Sequence, residues 1–429
     1  MIRMILKQLW NRSRSNSWIF IELLLIFCLL WYMVDYFFVL GYNKSMSSSR
    51  DLDHTWQVDV ALLPEDHPEY QPGESDSIAL EANYSRLLDR IRQSEEVEAL
   101  AVFSQFASPG GGGYMGNTYR SVEDTSRTAN GMNLSFDPRE DYFRVFGYVY
   151  PDGKPVSVHD FDWDDPKAVV VGRLVETSLF PTTHAIGQQI ETQDGKDQLI
   201  IKGVIGDIKR FDYLRYLNVY YTPRRATFRN ISQMCIAVRS KATRSDEQFL
   251  LNFNEQMISE LRIGNFYLKS VKSYNQITAD TDNRFGQTRD VRVRTAMLLF
   301  FLVNILLCVM GTFWYRIRMR REEIGLRMAM GASRSSIRRM LFVEGLCLLT
   351  AAMLPALLIE VQFIQAGLID TMGRYDDNTL SYLPDRMGLR FILTNGLTWL
   401  LLAVTVVAAI WFPATKAAKM KPTDALHNE

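Results

Sequence analysis

The sequence has 429 residues, with 48 basic and 48 acidic side chains, and 47% of it is apolar. That composition excludes a disordered polyelectrolyte and allows two or three packed domains. Zero net charge argues against a dedicated nucleic-acid binder, and four cysteines are too few for a disulfide-stapled scaffold. A mean hydropathy of −0.08 is that of a soluble protein, but the average hides how the apolar residues are distributed.

In chain order, the first apolar window runs from Trp18 to Leu40, after a short basic segment (residues 1–17) with Arg3, Lys7, Arg12 and Arg14 and no acid. Its length approaches the ~20 residues that cross a bilayer. A cleaved signal peptide would be shorter and would end in small residues; this window ends in Val34-Asp35-Tyr36-Phe37-Phe38, which favours a retained anchor. Three more windows follow: Ala296–Trp314, Leu341–Ile359 and Phe391–Trp411. Domain bounds follow as spans 18–40, 295–315, 341–364 and 391–411, separated by segments 41–294, 316–340 and 365–390 and followed by a tail, 412–429. Arg316, Arg318, Arg320, Arg321, Arg327, Arg334, Arg338 and Arg339 crowd the segment after the second span, and Lys416, Lys419 and Lys421 the tail. By the positive-inside rule these face the cytoplasm, which puts 41–294 and 365–390 outside. The fold class is therefore a membrane protein: a four-helix transmembrane domain with a large extracytoplasmic α+β domain.

The external segment alternates strands and helices. Trp56–Leu63 and Val97–Phe106 read as strands around an amphipathic helix, Ser77–Arg92, whose apolar positions are Ile78, Ala82, Leu87, Leu88 and Ile91. The unit recurs as strand Ile231–Val238, helix Ser245–Leu261 capped by Ser245, and strand Phe266–Val271; its helix offers Phe249, Leu250, Phe253, Met257, Ile258 and Leu261. Two β-α-β units, about 56–106 and 231–273, predict a split ferredoxin-like layer with a β-rich insertion at about 107–227. The Gly110–Gly113 run lacks the Lys-Ser/Thr of a phosphate loop, and no Gly-x-x-x-x-Gly-Lys-Ser/Thr occurs in the sequence.

Within the insertion, Ser135-Phe136-Asp137-Pro138, Asp141-Tyr142-Phe143-Arg144-Val145-Phe146-Gly147 and Ala168-Val169-Val170-Val171 stand out, as do Ala185-Ile186-Gly187-Gln188-Gln189-Ile190 and Ile200-Ile201-Lys202-Gly203-Val204-Ile205-Gly206-Asp207. They resemble the periplasmic core domain of MacB-type ABC permeases. Arg320-Arg321-Glu322-Glu323-Ile324-Gly325-Leu326-Arg327-Met328-Ala329-Met330-Gly331-Ala332-Ser333-Arg334 resembles the signature of the MacB/FtsX permease superfamily, and so does the tail Phe412–Leu426. The resemblance implies a permease subunit whose loop docks into an ABC ATPase on another subunit. It implies ATP and Mg on that subunit and no cofactor on this chain, a second copy or related permease as dimer partner, and a place in the bacterial inner membrane. The cargo would be hydrophobic, peptide or lipoprotein, and a periplasmic adaptor and outer-membrane channel could join the assembly. The alternative is an FtsX-like signal transducer that controls a cell-wall hydrolase or senses a peptide.

The expected ATPase-coupling residues are Arg320, Arg321, Glu322, Glu323, Ile324, Gly325, Arg327, Gly331, Ala332 and Ser333. Ile324, Met328 and Ile337 would anchor the loop to the membrane face, where anionic lipid is an alternative partner. Charge reversal at Arg320 or Arg327, or deletion of Ile324–Met328, should then release the ATPase without unfolding the permease. Glu22, Glu344 and Glu360 are the intramembrane polar residues to explain, structural pairing being favoured over ion translocation. The acidic run Asp160, Asp162, Asp164 and Asp165 lacks the glycine and distal glutamate of a calcium loop. His54, His67, His159, His184 and His427 have no zinc spacing. No catalytic site is expected.

Overall fold

The computed structural model describes residues 13–111, 113–241, 245–367 and 387–419. The Gly110–Gly113 run, the 365–390 loop and both terminal segments lie partly outside them. The chain divides into two compact units, Asn43–Gln287 and the remainder.

Four helices of the second unit are long and apolar enough to cross a membrane. They are α1 (Ser13–Ser45), α7 (Gln287–Met319), α9 (Arg334–Gln365) and α10 (Met387–Ala418); the short α8 (Arg321–Ala329) lies between α7 and α9. Helices α1 and α7 have 33 residues each. Each is therefore about 50 Å long, well beyond the hydrocarbon thickness. The shared core of the four draws Phe27 and Leu30 from α1, Ile305 and Val309 from α7, Leu349 and Ala352 from α9, and Leu402 and Ile410 from α10. Gly345 sets the closest approach: a Cβ there would stand 2.4 Å from Ile410 Cδ1 and 3.1 Å from Val406 Cγ1.

In the external unit, β1 (Thr55–Leu62), α2 (Ser77–Gln93) and β2 (Val97–Ser104) form the first half of a layer. An insertion follows, comprising β3 (Gly116–Ser121), β4 (Thr128–Phe136), α3 (Tyr142–Val145), β5 (Ala168–Gly172), α4 (Arg173–Leu179), β6 (Gln189–Thr192), β7 (Gln198–Ile205) and β8 (Asn218–Pro223). Then β9 (Met234–Ser240), α5 (Asp246–Glu260) and β10 (Phe266–Ser273) complete the layer, and α6 (Tyr274–Arg284) leads to α7. The outer strands lie in the order β10-β1-β9-β2, all antiparallel, which is the split ferredoxin-like arrangement.

The insertion is more than β-rich. Its strands run β4-β3-β6-β7-β5-β8, and β8 pairs back onto β4 in parallel from Gly131↔Asn218 to Phe136↔Pro223, closing a six-stranded barrel. One bridge, Phe103↔Phe136, joins barrel to layer. Gly203 is where backbone must come close, because a Cβ there would sit 2.2 Å from the Phe161 ring. The resemblance motifs acquire physical roles here. Asp137 accepts from Ala226 N at 2.8 Å and pairs with Arg139. Asp141 caps α3 through Arg144 N, so that Tyr142, Phe143 and Phe146 pack into the core between layer and barrel.

Local expectations need correction. Ile78, Ala82 and Ile258 are exposed; the buried face of α2 is Asn83, Tyr84, Leu87, Leu88 and Ile91, one helical step from the apolar stripe. Ile231–Gln233 is a 3₁₀ turn and the strand starts at Met234, while Gln105–Ala107 leaves β2 as another turn. The acidic run serves turns: Asp160 accepts from Ser157 N, Asp162 from Asp164 N, and Asp165 from Lys167 N.

The loop 207–217 grips the chain where it leaves α1. Lys209 Nζ donates to Asn43 O (3.1 Å) and Asp212 O (3.3 Å), Asn43 Nδ2 to Tyr213 O (2.8 Å), Tyr216 OH to Ser47 O (2.7 Å), and Ser49 N to Asp207 O (2.9 Å). Phe211 of the same loop packs edge-on against Phe285, two residues before α7 begins. Burial holds the Lys209 amine below the ordinary lysine range.

Candidate functional site

Alpha 8 forms because Arg321–Ala329 is rich in helix formers and is stopped on both sides. Gly331 adopts φ +94°, a left-handed turn that favours glycine. Ser333 then caps α9 by accepting from Ser336 N at 3.2 Å, which satisfies one of the helix's open N–H groups. Ile324 and Ile337 are 1% and 2% exposed and belong to the core of the helical unit; Met328 packs against that core, and Gly325 is buried. These residues therefore fix α8 to its own chain rather than presenting it to a partner. The outward face carries Glu322, Leu326, Ala329 and Met330, of which Leu326 is 53% and Met330 72% exposed. Gly331 and Ser333 are also exposed, with Ala332 half-buried.

The arginines divide likewise. Arg320 donates from Nη1 to Glu344 Oε2 at 2.9 Å and from Nε to Glu323 Oε2 at 3.0 Å. Arg327 Nη2 reaches Glu323 Oε1 at 2.9 Å, and Arg316 Nη1 lies 3.5 Å from Glu344 Oε1. Burial works against the Glu323 charge, yet Arg320 and Arg327 together hold its carboxyl below the ordinary glutamate range. Three arginines and two glutamates thus lock the ends of α7 and α9 to α8. Reversing Arg320 would break this part-buried network, which argues against the expectation that the change spares the fold, and deleting Ile324–Met328 would open the core.

The other intramembrane acids have different surroundings. Glu22 sits beside Cys308 of α7, with Oε2 buried and without a hydrogen-bond partner. Asp35 and Arg390 form a buried pair, Nε to Oδ1 at 2.8 Å and Nη2 to Oδ2, next to a Trp31 Nε1–Thr394 Oγ1 bond of 3.0 Å. Sequence reasoning misses this pair because Arg390 stands at the edge of an apolar window, where it reads as part of the external loop. Glu360 is 0% exposed, and neither of its carboxylate oxygens has a donor.

Four membrane-spanning helices, a short helix locked between the second and third, and a large extracytoplasmic α+β domain define a permease architecture. Residues 295–422 match the model of the FtsX-like permease C-terminal family. The chain is 25% identical over 305 residues to the macrolide export ATP-binding/permease protein MacB 1 of Yersinia pestis bv. Antiqua (strain Antiqua), covering 68% of this chain and 42% of that protein. It is 26% identical over 322 residues to a probable export ATP-binding/permease protein of Pseudomonas fluorescens (strain Pf0-1), covering 72% and 44%. The solved periplasmic region of MacB from Actinobacillus actinomycetemcomitans is similar at 13% identity and a TM-score of 0.31, over 54% of this chain and 94% of that one. The chain spans less than half the length of the curated relatives it matches. These matches make the chain similar to ABC permeases of the MacB/FtsX type, over its FtsX-like C-terminal region above all.

Proposed function

We propose that this chain relays the motion of an ATPase subunit, seated on α8, along α1 and α7 to its external unit, and so exports or extracts a hydrophobic, peptide or lipoprotein cargo. Nucleotide and Mg would be bound by the partner, since the chain's own sequence has no phosphate-loop motif. The export function in the names of both relatives supports transport over signalling. Two copies, or this chain with a related permease, would make the membrane unit of such a machine in a bacterial cytoplasmic membrane. An adaptor and an outer-membrane channel would extend it outward.

The observation that carries this reading is the divided character of α8. Its inner side is fixed by Ile324 and by the Arg320–Glu323–Arg327 pairs, while Leu326 and Met330 project outward as an apolar patch with Glu322 at its edge. An apolar anchor with a charged rim is the composition of a protein interface. Of the expected coupling residues, Glu322, Gly331 and Ser333 lie on the exposed side; Arg320, Glu323, Ile324 and Gly325 act by holding α8 in place.

Co-expression with its ATPase and affinity capture tests the reading. L326D together with M330D should reduce ATPase recovery at least tenfold and leave the permease's melting temperature unchanged. Full recovery of the ATPase by this double variant would discard the docking face. Retained docking with no cargo movement, but with activation of an external hydrolase, would favour the signal transducer.

A further inference from the structure

Among the described residues, Glu360 is the membrane-unit acid with both carboxylate oxygens closed off from solvent and lacking donors. The surrounding elements supply no free counter-charge among the described residues. Alpha 1 contributes Cys28 and Asp35, and α10 contributes Arg390 and Asn395. Arg390 is held by both oxygens of Asp35, and Asn395 Nδ2 donates to Phe391 O at 3.0 Å. From α7, Arg294 lies over the rings of Tyr36 (4.0 Å) and Tyr32 (5.6 Å). Asn395 is the polar neighbour of Glu360 and weakly favours its charge, but it forms no hydrogen bond of good geometry with either carboxylate oxygen, and its own Oδ1 is also buried without a donor.

A bare carboxylate here would be a desolvated charge with no partner, the costliest state a side chain can adopt in a membrane core. Three buried acceptors here lack a hydrogen. One proton answers two of them without needing space: it turns one Glu360 oxygen into a donor for Asn395, and it cancels the charge, leaving the other oxygen a neutral carbonyl that is far less costly to bury than a carboxylate. We propose that Glu360 is a proton-binding site, occupied while α1, α9 and α10 pack as they do here. The balance is simple: one proton from water binds the carboxylate as the helices close, and returns to water when they part and hydrate it. The transport cycle would thereby take up and release one proton at the external end of the helical unit. The proposal does not depend on what docks at α8.

Infrared difference spectroscopy of the full-length chain in lipid nanodiscs at neutral pH tests it. The wild type should show the carbonyl stretch of a protonated carboxylic acid, absent in E360Q and displaced in N395L, which keeps Glu360 but removes its neighbour. Because the folded state would bind a proton that the unfolded chain has lost, stability should fall as pH rises. The wild-type folding ratio should drop by up to tenfold per pH unit relative to E360Q. A carboxylate band alone, or a wild-type to E360Q ratio that ignores pH, overturns the proposal. So does a carboxylate band that responds to added sodium chloride, which would make the ligand a metal cation. Should E360Q fail to fold, the N395L band displacement decides by itself.

Discussion

Glu344 and Glu360 sit on one helix, α9, sixteen residues apart, and the same chemistry has opposite surroundings at its two ends. Glu344 receives two guanidinium groups, Arg320 at 2.9 Å and Arg316 at 3.5 Å. Glu360 receives none among the described residues, and Arg390 of the outer end is spent on Asp35. The inner cluster is therefore a lock, in which each charge specifies the position of another. The outer cluster is a neutral pair next to an unanswered acid, an arrangement that can respond to something outside the protein. Buried charge pairs add little net stability, but breaking one by removing a partner is expensive.

The largest effect should come from the outer pair. Asp35→Ala or Arg390→Met leaves a lone buried charge and should cost about 3–5 kcal/mol, read as thermal unfolding of the full chain in detergent. The double change Asp35→Leu with Arg390→Met removes both charges and should recover most of that loss. If each single change is silent, the pair is not buried as described. At the inner lock, Glu344→Gln retains some hydrogen bonding to Arg320 while losing the ion pair with Arg316, so its cost should be smaller, about 2–3 kcal/mol. It should also loosen α8, measured as faster amide exchange over Arg321–Ala329. Faster exchange without lost stability would mean that the lock positions α8 without supporting the fold.

Between the clusters, packing rather than charge is decisive. Gly345→Leu forces a side chain into space held by Ile410 and Val406. Overpacking of this kind should cost about 1–3 kcal/mol. Unchanged unfolding would require α9 and α10 to lie further apart than the structure has them. In the external unit, Lys209→Met removes both hydrogen bonds from the amine to backbone carbonyls. The loss should be about 1–2 kcal/mol. Exchange should rise at residues 43–50 and 207–217 and stay constant in the barrel; a uniform rise would contradict a local grip.

How far the sequence reveals this depends on the signal. The four spans are legible because ~20 consecutive apolar residues are rarely anything but a membrane-crossing helix. The ferredoxin-like layer is legible from two repeats of strand, amphipathic helix and strand. Barrel closure is not, because the β4–β8 pairing joins residues 131–136 to 218–223, and no local pattern encodes a parallel contact over that distance. Ile324 and Ile337 read as anchors to the membrane face but lie in the core of the helical unit, because periodicity cannot say whether an apolar residue faces lipid, a partner or its own core. The Asp35–Arg390 pair spans 355 positions, and each member looks like an interfacial residue by itself.

The smallest effect, and the most diagnostic of the lock, is its pH dependence. The Glu323 side chain is 29% exposed, and Arg320 and Arg327, acting against burial, hold it below the ordinary glutamate range. Its folded state therefore keeps the carboxylate at pH values where the unfolded chain has already taken up a proton. The stability this adds is present above the unfolded-state value of about 4.3 and disappears as pH falls through the lower folded value. Solvent screening on the exposed side keeps it below about 1 kcal/mol. Glu323→Gln should remove this acid-dependent part alone, flattening the stability profile below about pH 5 relative to wild type. Glu360 would contribute with the opposite sign, losing stability as pH rises, so the two variants should flatten opposite limbs of one profile. If both flatten the same limb, the inner and outer clusters do not differ in the way their geometry requires.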